Sequence, residues 1–135
     1  MKNILTTLLL STALFSSVYT KQDRIKDMQV MAEAMTTIET GFFYNNNDIV
    51  QNGALSLSDA IRRIKPPLEV KEEKDPMARY MNNKVVFSNK IVKTIDKKAK
   101  IIIERFAVGD VQAATQAYTK IMKQCMRCHH EIRQW

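Results

Sequence analysis

Glycine and proline are scarce in this 135-residue chain, three of each, and cysteine is scarcer, with two. Both cysteines fall in one pentapeptide, Cys125-Met126-Arg127-Cys128-His129, so no thiol is left over for a structural disulfide. The period-two alternation of half-buried strands is also missing, and apolar residues recur at three and four residues nearly throughout. That excludes the βαβ setting which a thioredoxin-like Cys-x-x-Cys requires. Internal repeats are absent. The longest apolar stretch, Ile4 to Val18, is broken by Thr and Ser and is too short for a membrane span. No pair of acids and no nucleophile–base pair can be assigned, which argues against an enzyme. No basic stripe interleaved with aromatics is present either, which argues against nucleic acid as a partner.

What is present is Cys-x-x-Cys-His, the attachment signature of a c-type haem. On a helix, positions i, i+3 and i+4 face the same way. Cys125 and Cys128 can then each form a thioether to one haem vinyl group, and His129 can stand beneath the iron as its proximal ligand. Zinc is the rival occupant. Cys125, Cys128, His129 and His130 are four donors within six consecutive residues, however, and zinc modules draw ligands from two separated pieces of chain. His130 is read simply as a partly exposed helix residue.

The first twenty residues read as a secretory signal: Lys2, the apolar stretch, then Val18-Tyr19-Thr20. Cleavage is expected after Ser17 or Thr20, and the cytochrome-like domain is expected over residues 21–135. Covalent haem attachment takes place outside the bacterial cytoplasm, so the expected location is the periplasm, with no stable membrane span. Lys and Arg total 21 against 14 Asp and Glu, a net charge of +7, which losing Lys2 and gaining the haem propionates would reduce. The remaining excess suits an encounter with an acidic redox partner or an anionic membrane surface.

The apolar spacing predicts four helices. The first runs from about Gln22 to Tyr44, with Ile25, Met28, Met31, Met35, Ile38 and Phe42 on its face. Asn45-Asn46-Asn47 is a turn, with Asn47 as N-cap of a second helix over Asp48 to Lys65. Gly53 and the stretch Ser56 to Ser58 are expected to weaken or break that helix, and Leu55 and Ile61 contribute to its apolar face. Pro66-Pro67 ends it, and an extended charged connection follows to Lys74. Asp75 and Pro76 open a third helix as N-cap and first residue, with Met77, Met81, Ile91, Ile95, Ile102 and Phe106 on its face. Gly109 stops it, and Asp110 caps a fourth helix bearing Tyr118, Ile121, Met122 and the haem motif on its inward side. The fold class expected is all-α, an antiparallel four-helix bundle.

A haem motif at the end of a four-helix chain resembles the class II c-type cytochromes, that is, the cytochrome c-prime family and its low-spin, methionine-ligated relatives. Cys125-x-x-Cys128-His129-x-x-Ile132-Arg133 is similar to the family's C-x-x-C-H-x-x-aromatic-R, with Ile132 in place of the aromatic residue. Arg24-x-x-x-Met28 followed by Met35 resembles the family's R-x-x-x-M with a second apolar residue two turns on. The resemblance covers the two end helices only. It implies that the first helix lies over the distal face of one covalent haem c, with Met28 at the ligand or blocking position and Met31 as fallback. It further implies that Arg24 approaches a propionate and that Arg133 lies near the haem edge. A homodimer through the first two helices is implied by the same analogy.

Two functions fit. With His129 and Met28 both on the iron, the protein is an electron carrier. With His129 alone, the iron is five-coordinate and binds diatomic gases such as NO or CO. The residue at the ligand position is a methionine, not an aliphatic side chain, which favours the carrier.

Overall fold

A computed structural model of the chain describes residues 19–64 and 74–133, with Ile132 and Arg133 as backbone only. The expected signal and the connection from Lys65 therefore lie outside the described residues, apart from Tyr19, Thr20 and Lys74. Four α-helices form: α1 (Lys21–Phe43), α2 (Asn47–Arg63), α3 (Pro76–Ala107) and α4 (Val111–Cys128), the last running into a π-helical turn, His129–Arg133. No strand occurs among the described residues. None of the described helices is long and apolar enough to cross a membrane.

Each helix start has a local cause. Thr20 and Asp23 form a reciprocal capping box on α1, satisfying two donors that the first turn would otherwise leave orphaned. Asn45 takes a left-handed φ of 48°, which leaves Asn46 extended; its side chain accepts the Ile49 N–H at 3.1 Å. Asn46, not Asn47, is thus the cap of α2, because the turn closes one residue earlier than expected. Asp75 caps α3 with Pro76 in its first turn, and Asp110 caps α4. Gly109 stops α3 with φ +79°, a conformation costly for any residue bearing a Cβ.

The expected break in α2 does not occur. Gly53 is buried against α1, where an added Cβ would sit 2.9 Å from Ile38 and 3.0 Å from the Ala34 carbonyl oxygen. It is a point of close backbone approach within an intact helix. Ser58, also placed in the weak stretch, is buried and donates to Asp96 of α3.

Two helical hairpins, α1–α2 and α3–α4, are closed by turns at 44–46 and 108–110 and joined along α2 and α3. The arrangement is consistent with a four-helix bundle. One continuous core runs through it, including Met31, Met35 and Ile38 of α1, Val50 and Leu57 of α2, Ile95 and Ile102 of α3, and Ile121 of α4. Several residues expected on apolar faces are exposed instead: Ile25, Leu55, Met77, Met81 and Met122. Met77 and Met81 lie on the first turns of the 32-residue α3, which outreaches the 18 residues of α4.

Candidate haem-attachment site

Cys125, Cys128 and His129 lie where α4 passes into its π-turn. The His129 backbone N–H donates to both the Cys125 and Met126 carbonyl oxygens, so the helix is continuous through the motif and widens just after it. Such π-turns recur at functional positions, where they re-aim side chains. Both cysteines are free thiols, partly buried, and packed against the core. His129 is likewise half-buried. Lys84 of α3 fixes the turn from outside, its ammonium donating to the Glu131 carbonyl oxygen at 2.9 Å and pairing with the Glu131 carboxylate at 3.4 Å.

The wall opposite the motif is α1. Phe42 meets Phe106 of α3 at a centroid distance of 5.3 Å and Tyr118 of α4, edge-on, at 5.8 Å. Residues seven apart share a helix face, so Met28 and Met35 lie on the side of α1 that Phe42 turns toward α4. Cys125 lies on the side of α4 that carries Tyr118. Stepping back along α1 and forward along antiparallel α4 from the Phe42–Tyr118 contact brings Met35 level with Cys125. The same step brings Met31 level with His129 and Met28 level with position 132. Met31 and Met35 are core residues, and Met28 is half-buried against them.

Extensive backbone approach joins α1 to α2, α2 to α3 and α3 to α4, but not α1 to α4. The methionines and the cysteines thus face each other across helices that meet through side chains and not through close backbone approach. Arg24, one turn before Met28, is exposed. The side chain of Arg133 is not among those described.

Burial pushes the Cys125 thiol up to about 11, with the neighbouring Cys128 adding to the effect, and burial raises Cys128 as well. Both are neutral thiols near pH 7, unlike the thiolate pair that a disulfide-exchange site activates. Tyr118 is raised by burial, then by Glu39 and Cys125, which places its ring on the same seam. Among the described residues no three His, Cys, Asp or Glu side chains are grouped to hold a metal ion. The set Cys125, Cys128, His129 instead suits a group that brings its own equatorial ligands and needs from the protein two covalent tethers and an axial nitrogen.

Two polar clusters escaped the sequence reading. Asp27 is buried beside Met28, with Tyr19 donating its hydroxyl to Oδ2 at 2.9 Å and Arg63 donating Nε–H to Oδ1 at 2.7 Å. On the far side of the core, Asp96 accepts from Ser58 and pairs with Arg62 at 2.8 Å and Lys100 at 3.2 Å. Both carried a visible signal, a polar residue at an apolar-period position: Asp27 in the series Met31, Ala34, Ile38, and Ser58 in the series Ala54, Leu57, Ile61.

No family model matches the chain, and no curated protein or solved structure matches it.

Proposed function

We propose that this protein is a periplasmic monohaem c-type cytochrome of class II type, an electron carrier and not an enzyme. One observation carries the reading. The only two thiols, packed against the core, and an adjacent imidazole stand where α4 passes into its π-turn, opposite a methionine stripe on α1.

In this reading Cys125 and Cys128 would hold one haem c by thioether bonds, His129 would be the proximal ligand and Met28 would provide the distal sulfur, with Met31, which stands level with His129, as the alternative. The bound group supplies a one-electron ferric/ferrous couple. The chain's own residues do the rest. His129 and Met28 would supply the same two ligand atoms in both oxidation states, which would limit rearrangement on electron transfer. Met31 and Met35 line the seam with apolar atoms and exclude water, disfavouring the more highly charged oxidised state. Arg24, exposed one turn before Met28, is free to meet a propionate by charge-assisted hydrogen bonds.

The same apolar lining gives the second reading its support, because nothing polar is contributed at Met28, Met31 or Met35 to hold a water on the distal side. In that case His129 alone binds the iron and the protein takes up NO or CO.

Visible spectra of the exported protein, ferric and ferrous, with and without carbon monoxide, separate the two. The carrier should show low-spin bands and sluggish CO binding, and Met28→Ala should turn the iron high-spin. If Met31→Ala does so instead, the ligand is one turn further along α1. High-spin spectra in the parent protein sink the carrier and leave the gas binder. A chain mass lacking the added haem rejects both.

A further inference from the structure

The surface beside the motif carries a charge pattern that haem binding does not require. Arg127, inside the pentapeptide, holds its guanidinium 5.0 Å over the Phe87 ring of α3, and Lys84 holds Glu131 one turn below. These two contacts set the antiparallel register of α3 against α4. One turn up α3 and one turn back along α4, Lys90 comes level with Lys123. A further turn brings Thr94 level with Lys120, and Lys97 and Lys98 follow. Lys90, Lys97, Lys120, Lys123 and Arg127 are exposed, and Lys84 and Lys98 are half-buried. A shallow groove of about 460 Å³ runs along α3 among Lys90, Lys93, Lys97 and Lys98, with Val86 and Asn89 also lining it.

No carboxylate of the described residues pairs with Lys90, Lys97, Lys98, Lys120, Lys123 or Arg127. The arrangement of acids explains why. From Val111 to His130, α4 and the start of its π-turn contain no acidic residue at all. On α3, Asp96 is turned toward α2 and already bound by Ser58, Arg62 and Lys100, and Glu104, the helix's other acid, lies two turns past Lys97, beyond the strip. Asp110 and Glu131 stand at the two ends of the strip, facing Arg105 at 3.8 Å and Lys84 at 3.4 Å. Like charges at this density repel one another, so the strip opposes folding slightly and is relieved by an anionic partner or by screening salt.

We infer that the α3–α4 seam, from Arg127 to Lys98, is a docking surface for a carboxylate-rich patch on a partner protein. The inference deepens the electron-carrier reading and rests on it for what the encounter accomplishes. A protein is favoured over a lipid surface by what the strip lacks. Interfacial binding combines cations with bulky Trp, Phe or Leu side chains that enter the bilayer; the exposed apolar residues along the strip are Val86, Met122 and Met126, none of these types, whereas Phe43 and Tyr44 lie at the opposite end of the helices. Because Arg127 belongs to the motif itself, a partner seated on the strip sits against the chain segment that would hold the haem. Charge complementarity of this kind raises the encounter rate more than it deepens the complex.

The test uses the full-length exported protein and a fluorescent oligoglutamate peptide as probe, at about 10 mM salt, where screening extends over about 30 Å. The parent should bind the peptide, with affinity falling steeply as salt is added. Lys90→Glu/Lys97→Glu/Lys123→Glu should weaken binding about ten-fold. Lys21→Glu/Lys26→Glu/Lys74→Glu, with the same change in net charge elsewhere, should weaken it less than about two-fold. Equal losses in the two variants would mean that net charge alone binds the peptide, and overturn the inference. So would absence of binding by the parent, or binding of the parent to phosphatidylglycerol vesicles but not to the peptide. Circular dichroism establishes that both variants fold. Haem content by mass separates the two readings: site-specific peptide binding by a haem-free chain ends the carrier and keeps the surface, and a haem-loaded chain without binding does the reverse.

Discussion

Asp27 is the residue on which α1 departs furthest from a simple apolar stripe. A buried carboxylate must be paired or neutralised, and this one is held between the Tyr19 hydroxyl and Arg63. Burial, then the bond to Asp27, raises the Tyr19 hydroxyl to about 12, so it remains a donor throughout the accessible pH range. Cleavage after Ser17 keeps Tyr19, and removing Arg63 then leaves Asp27 with that single neutral partner; cleavage after Thr20 leaves it with none. Because Arg63 is itself half exposed, Arg63→Ala should cost about 1–2 kcal/mol in urea unfolding, less than a fully buried pair would. Asp96 adds a pH dependence. Burial acts to raise its carboxyl, but Ser58, Arg62 and Lys100 outweigh that and hold it below the ordinary value. A carboxyl lowered on folding stabilises the fold above its unfolded value, about 3.9, and the contribution disappears as pH falls through the folded value. The urea midpoint should therefore drop as pH is taken from about 5 toward 2, and Asp96→Asn should flatten that profile.

At the scale of helices, the parts of the chain set by neighbours in sequence were legible, and those set by neighbours in space were not. Asp75-Pro76 and Gly109-Asp110 mark their helix ends by backbone chemistry alone, and the structure places both where the residues indicate. Among three consecutive asparagines, by contrast, nothing local says which takes the left-handed conformation, so the cap fell one residue away. Gly53 read as a weak point because isolated glycine lowers helix propensity; its use is visible only once α1 lies against it. Gly41 has the same role in the same hairpin. A Cβ there would meet Val50 Cγ2 at 2.6 Å and the Val50 backbone nitrogen at 2.7 Å. Gly41→Ala should accordingly lower stability by roughly 1–3 kcal/mol in thermal unfolding, although the substitution improves helix propensity by about 1 kcal/mol.

For the molecule as a whole, composition and periodicity sufficed to read four helices, and the pentapeptide sufficed to name candidate tethers. The sequence could not say that α1 and α4 meet through side chains with little backbone approach, since the spacing of one pair depends on all four helices at once. Nor could it say which methionine stands level with His129, because that register is set by the contact of Phe42 with Tyr118. A domain of this size buries a modest share of its surface, and a planar group seated between α1 and α4 would complete the burial of Met28, Cys125 and Cys128, which are only partly buried against the core. Cys125→Ala/Cys128→Ala should thus yield a chain without haem absorption, and with a melting temperature lower by at least about 10 °C, corresponding to about 2 kcal/mol in a domain of this length.

The scarcity of backbone contact between α1 and α4 bears on how such a protein could be loaded. Each hairpin is tied by a three-residue turn, and the two are bound together along α2 and α3 like the pages of a book along its spine. The edge opposite the spine joins the first helix to the last, the parts of the chain most distant in sequence, and loop closure makes that meeting the most costly in entropy. Opening the book along this edge separates α1 from α4 while every helix keeps its backbone hydrogen bonds. The thiols of Cys125 and Cys128 then face outward on an intact helix, and an attachment enzyme could reach them without unfolding the chain.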